Sequence, residues 1–174
     1  VFNRAGGRSP PVTAAAFLEQ GIKPQNIYGM TENSSHQYTH PDDSAEVIVT
    51  TCGRGGKAYE VRLFDPADPD KEVKPGEVGQ IAGRGAALML GYFDNQRATE
   101  TSFNKDGWFL SGDLGVLDQS GNLRIEGRLK DLIIRGGHNI DPAEIEEALM
   151  GHPAVAFVGA IGQPDAFAGE LPCA

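Results

Sequence analysis

Cysteine is nearly missing from this chain: its 174 residues hold two, Cys52 and Cys173, far apart in sequence. That excludes a disulfide scaffold and suits a reducing compartment. Cations are in deficit, with 15 Lys and Arg against 24 Asp and Glu, a net charge of −9 and a pI near 4.8. No run of Lys and Arg offsets that balance, so a nucleic-acid partner is not expected. Long apolar runs are missing too. The longest, residues 86–90 and 154–161, fall far short of the ~20 residues that span a bilayer, so no transmembrane segment is expected. The opening Val1-Phe2-Asn3-Arg4 has no signal-peptide pattern and no initiator Met, which leaves a processed or trimmed chain open. A soluble cytoplasmic protein is the default expectation.

What the chain has in excess is glycine, 23 residues of 174, against a usual ~7%, so many backbone turns are expected. Hydrophobic residues at 40% and a mean hydropathy of −0.31 describe a globular protein. The length fits one ordinary domain, or parts of two.

The most informative stretch is residues 108–147, which reads as two pieces joined by a short charged pivot. Ser111-Gly112-Asp113 is read as a tight turn ending in a carboxylate. A hairpin follows, turning at Asp118-Gln119-Ser120-Gly121. After Gly127-Arg128-Leu129-Lys130-Asp131 comes an apolar strand, Leu132-Ile133-Ile134, broken at Gly136-Gly137. Asp141-Pro142-Ala143-Glu144 then opens a helix with a cap, Pro in the first turn and a Glu three residues on. Ile145, Ala148 and Leu149 form its expected buried face. About eighty residues upstream of this stretch lies Tyr28-Gly29-Met30-Thr31-Glu32. A strand delivering glycine, a hydroxyl and a carboxylate suits ATP and a metal: glycine admits a close backbone, Thr donates to phosphate, and Glu is a hard oxygen ligand. By itself so short a match has a plainer explanation, a helix-capping Thr-Glu.

Taken together, these motifs closely resemble the acyl-adenylate-forming superfamily, which includes the acyl- and aryl-CoA synthetases. The resemblance covers nearly the whole chain, and the order and spacing of its motifs are more specific than any one of them. It implies an α+β organisation: the end of an α/β large domain with a distorted β-barrel subdomain, a hinge, then the start of a small α+β C-terminal domain. The implied boundaries are 1–129 for the large domain, its barrel at roughly 47–127, and 130–174 for the hinge and small domain. In the family, Gly6 and Gly7 would line the adenine and acyl pocket, although Arg8 departs from the small residue usual there. Tyr28 would stack near adenine, Gly29 belongs to the same motif, Thr31 would contact the α-phosphate, and Glu32 would bind Mg²⁺. Asp113 and Arg128 would hold the ribose of AMP, through charge-assisted hydrogen bonds at the aspartate; a turn-capping aspartate is the plain alternative. Lys130 takes the hinge position. Gly136 and Gly137 would leave room for the pantetheine of CoA.

The implied activity is an ATP-dependent carboxylic acid–CoA ligase. Acid and ATP give acyl-AMP and pyrophosphate, and CoA then displaces AMP. The expected cofactors and partners are ATP, Mg²⁺, CoA and a small carboxylic acid of unspecified class, and a homodimer is left open. The family's phosphate loop would lie upstream of Val1 and its adenylating lysine downstream of Ala174, so these residues alone are expected to be inactive. Three alternatives stay open: an adenylation domain loading a carrier protein, a degenerate or truncated nucleotide-binding module, and a structural β-rich domain. The glycine pair and the lack of a carrier-like segment favour CoA. The last alternative leaves Thr31, Glu32, Asp113 and Arg128 unexplained.

Other features read as structural. His36 and His40 stand four apart, but Asn33-Ser34-Ser35 and Pro41 argue for a loop with surface histidines. The Asp65–Asp70 run lacks the glycine and closing Glu of a calcium loop and reads as a solvated turn. Residues 75–79 and 90–93 read as scaffold, 94–103 as a short helix, 155–161 as a strand and 163–165 as a turn. Glu144, Glu146 and Glu147 read as helix-dipole complement and solvated surface.

Overall fold

The structure, a computed structural model, describes residues 11–174. The chain divides into two compact units. One comprises the described residues up to Ser111 together with Gly115–Ile125, the other Gly112–Leu114 together with Glu126–Ala174. The fold is mixed α and β.

In the first unit, helix α1 (Pro11–Glu19) begins with proline, whose fixed φ suits a first turn. It stops at Gly21, whose φ of +74° lets the N–H groups of Gly21 and Ile22 reach back to Leu18 and Phe17. Strands β1 (Ile27–Met30), β2 (Ser34–Tyr38) and β3 (Arg54–Gly55) form one sheet in that order. Between β2 and β3 lies α2 (Ala45–Thr50), capped by the Ser44 hydroxyl, which accepts from the Val47 N–H.

The loop expected around His36 and His40 is instead strand β2 from Ser34 to Tyr38. The reversal is compressed into three residues because Asn33 Oδ1 accepts the Met30 N–H at 3.0 Å and Ser34 adopts a φ of +60°. The turn-forming residues are used up there, and β2 becomes the central strand of its sheet. His36 is therefore buried, 5% exposed, against the expectation of a surface histidine; His40 is exposed.

Strands β4 (Tyr59–Phe64), β5 (Gly79–Gly85), β6 (Phe109–Leu117) and β7 (Leu123–Arg128) form a four-stranded sheet in chain order. β4 and β5 pair antiparallel from Tyr59 opposite Gly85 to Phe64 opposite Gln80. Successive side chains point to opposite faces of a strand. Leu63 and Ile81 thus join Tyr28 and Leu123 in one apolar cluster, while Phe64 and Ala82 join Trp108 in another. The distorted barrel expected here is an open sheet: among the described residues no strand closes β4 onto β7. Helix α3 (Gln96–Thr101) is capped by Asn95, whose Oδ1 accepts from the Ala98 N–H. In the acidic turn at 65–70, Asp65 and Asp68 accept backbone N–H groups two residues on, and Lys71 lies 3.3 Å from the Asp65 carboxylate.

The second unit begins its own course with a 3-10 turn at Leu129–Asp131. Strands β8 (Ile133–Arg135) and β9 (His138–Ile140) form a hairpin, followed by α4 (Pro142–Met150), β10 (Ile161–Asp165) and β11 (Gly169–Cys173). The sheet order is β10-β11-β8-β9. Asp141 caps α4 by accepting the Ala143 N–H, as expected. The expected buried face of α4 is only partly present: Ile145 is half-buried, but Ala148 and Leu149 are exposed.

The strand expected over 155–161 begins only at Ile161 and runs through Gln163-Pro164-Asp165, where a turn was expected. β10 is an edge strand, and an edge tolerates a proline that cannot donate to a ladder. The turn falls later, where Asp165 Oδ1 accepts the N–H groups of Phe167 and Ala168. Glu146, expected to be solvated, instead accepts the Ala160 N–H at 2.9 Å and ties down the residues before β10. Among the described residues no helix is long and apolar enough to cross a membrane.

Candidate functional site

Gly6 and Gly7 lie outside the described residues. Tyr28, Gly29, Thr31 and Glu32 follow one another along β1 and the turn that leaves it. The Tyr28 ring is buried, packed in the cluster with Leu63, Ile81 and Leu123 and edge-on to the His36 ring at 5.5 Å. Gly29 sits at a register shift between β1 and β2, where a Cβ would collide with the Ser34 carbonyl and the Ser35 Cα. Its bareness is thus required by the neighbouring strand. Thr31 is exposed and Glu32 half-buried.

Glu32 is gripped twice by residues 89–92, which overlap the 90–93 stretch that reads as scaffold. The Met89 N–H donates to its backbone carbonyl at 2.7 Å, and the Tyr92 hydroxyl donates to Oε1 at 3.0 Å. Burial, followed by the neighbouring Glu32 carboxylate, holds the Tyr92 phenol above its ordinary range, so it remains a protonated donor at neutral pH. No local signal announces this contact, because sixty residues separate the partners.

His36 was also missed. Its ring stacks on Tyr59 with centroids 4.2 Å apart and planes 19° from parallel. Neither ring nitrogen has a hydrogen-bond partner among the described residues. Burial pushes its pKa down to about 4 and that of Tyr59 up to about 12. Both groups are therefore neutral at pH 7 and form an uncharged aromatic wall beside Tyr28.

In the second unit the structure brings Asp113 and Arg128 together. Arg128 Nε donates to Asp113 Oδ1 at 3.1 Å. Asp113 lies within β6, not in the tight turn expected from Ser111-Gly112-Asp113. The glycine still matters, since Gly112 takes a φ of +79° in mid-strand, a conformation that costs little only without a Cβ. Arg128 ends β7 and stands half-exposed. Lys130 is exposed in the 3-10 turn. Gly136 and Gly137 form the tip of the β8–β9 hairpin with φ of +56° and +83°, and a Cβ at either would meet nothing within 4 Å. Consecutive positive φ values make this the two-residue turn that matches strand twist, and the Gly136 N–H donates to the Ala168 carbonyl at 2.7 Å.

Glu32 offers one carboxylate, and among the described residues no group of three or more His, Cys, Asp and Glu side chains gathers. Mg²⁺ needs no such cage. It is held by one or two carboxylates together with phosphate oxygens and water, so a single oriented Glu fits a metal that arrives with a nucleotide.

The sequence profile of the AMP-binding enzyme family matches residues 1–93. The chain is 44% identical over 169 residues to the Bacillus subtilis protein YngI, named as an acyl-CoA synthetase, covering 95% of this chain and 31% of the relative. It is 36% identical over 174 residues to a medium-chain fatty-acid–CoA ligase of Escherichia coli, covering 99% of this chain and 30% of that one. Among solved structures it resembles o-succinylbenzoate CoA synthetase of Bacillus subtilis in complex with its acyl-adenylate intermediate. That match has a TM-score of 0.86 at 38% identity, over 96% of this chain and 34% of the other. The same enzyme in complex with ATP and magnesium ion matches with a TM-score of 0.84. The chain thus spans about a third of the length of the relatives it matches. A family profile covering more than half of the chain, with this fold beside it, leads to one conclusion: the chain belongs to the AMP-binding enzyme family.

Proposed function

We propose that the protein containing this chain is an AMP-forming carboxylic acid–CoA ligase. The observation that carries the reading is the Asp113–Arg128 pair, an acceptor and a donor preset at 3.1 Å, in a chain of the AMP-binding family. A carboxylate accepts hydrogen bonds from ribose hydroxyls, and charge-assisted bonds of this kind are roughly twice as strong as neutral ones. Arg128 holds the carboxylate in place and adds a donor at the rim. Tyr28 contributes to the wall facing the adenine, and the Thr31 hydroxyl donates to the α-phosphate. Glu32 orients Mg²⁺, which when bound offsets the negative charge of the triphosphate.

In the first step a carboxylate oxygen of the acid attacks the α-phosphorus, and the bond to the bridging oxygen breaks to release pyrophosphate. In the second, the CoA thiolate attacks the acyl carbonyl carbon and AMP leaves. The two steps act on one carboxyl group but differ in nucleophile, in the atom attacked and in leaving group. A small domain that moves about Lys130 serves both, with residues 1–129 on one side and 130–174 on the other. Gly136 and Gly137 then pass the narrow pantetheine chain along the backbone.

The test is carboxylate-dependent exchange of labelled pyrophosphate into ATP by the full-length protein, across a panel of acids, followed by addition of CoA. Exchange with some acid, converted to a thioester when CoA is added, is the expected result. Silence across the panel despite ATP binding would overturn it in favour of a degenerate nucleotide-binding module. Exchange without thioester would replace CoA by another acceptor.

A further inference from the structure

Glu32 leaves β1 on a turn, and a glutamate there would ordinarily sample many rotamers. Here residues 89–92 hold it at two points, the backbone carbonyl by the Met89 N–H and Oε1 by the Tyr92 hydroxyl. The holding segment is itself anchored by polar contacts. The Tyr92 N–H donates to Thr99 Oγ1 at 2.9 Å, and the Tyr92 carbonyl accepts the Asn95 N–H at 3.3 Å. Both partners belong to the capped start and body of α3. Apolar burial does not explain this placement, because Leu90 within the segment and Phe93 just after it are fully exposed. Among the described residues the Tyr92 bond is the one hydrogen bond to the Glu32 side chain. It fixes the carboxylate plane while engaging one of the two oxygens.

We propose that Tyr92 is a positioning residue for Glu32, orienting its carboxylate toward a divalent cation. The inference rests on reading Glu32 as the metal ligand. Hydrogen bonds to a ligating carboxylate fix its direction, and losing such a partner typically weakens metal binding about 10- to 100-fold.

Tyr92→Phe removes the hydroxyl and little else. In the full-length protein with ATP, Mn²⁺ binding read by electron paramagnetic resonance should weaken by about ten-fold in this variant, with the thermal midpoint unchanged. Thr99→Val keeps the phenol but releases its backbone, and should weaken Mn²⁺ in the same direction. Glu32→Gln, measured alongside, separates the two layers. If Glu32→Gln binds Mn²⁺ as the parent does, the metal reading of Glu32 falls and the inference falls with it. If Glu32→Gln loses the ion while Tyr92→Phe and Thr99→Val keep it, Glu32 stands as a ligand and the role of Tyr92 is overturned.

Discussion

Asp113→Asn retains the shape of the side chain and removes its charge. Hydrogen bonds to charged groups contribute about 1.5–3 kcal/mol, so AMP binding should weaken by about 10- to 150-fold, read by calorimetry on the full-length protein. Unchanged affinity would remove Asp113 from the nucleotide site. His36 yields a prediction of a different kind. Its folded pKa of about 4 lies below the ordinary 6.5, so the unfolded chain binds the proton more readily. The stability it contributes is complete above pH 6.5 and is lost as pH falls toward about 4. At roughly 1.4 kcal/mol for each pH unit of difference, the loss is on the order of 3 kcal/mol. Denaturation midpoints should fall with acid across that window, and His36→Phe should flatten the fall. An identical acid profile in the variant would count against the account. The sequence offered little warning here, since an H-x-x-x-H spacing beside turn-forming residues is equally compatible with surface and core.

At the scale of elements, β1 and β2 approach so closely at Gly29 that no side chain fits. Gly29→Ala must push the Ser34 carbonyl aside, and forcing atoms into a packed site costs about 1–3 kcal/mol. The thermal midpoint should drop accordingly, whether or not a nucleotide is bound. A variant as stable as the parent would show that the bulge relaxes freely. This glycine serves packing between strands. Caps and turns were legible because they are local. Asp141 before Pro142, and Gly136-Gly137 between two strands, state their geometry within four residues. The start of β10 was not legible, because Pro164 reads as a breaker until the strand is known to lie at the sheet edge.

For the whole molecule, the proposed hinge makes its own prediction. Lys130→Pro locks φ near −65° at the junction between the proposed domains. Pyrophosphate exchange should survive within a few-fold, while thioester formation with CoA should fall by more than about ten-fold. Equal loss of both activities would argue that residue 130 is a structural position and not a pivot.

The sequence by itself determined the order of the motifs, the acidic balance, the capped start of α4, the Gly-Gly hairpin and, through these, the family. Each is written in neighbouring residues, because backbone conformation, capping and turn formation are short-range. Only the tertiary structure decided that His36 lies between two tyrosines, that Asp113 rises from a strand, and that Tyr92 reaches Glu32 across sixty residues. Those contacts depend on which strand and loop come to lie side by side, and no spacing along the chain encodes that.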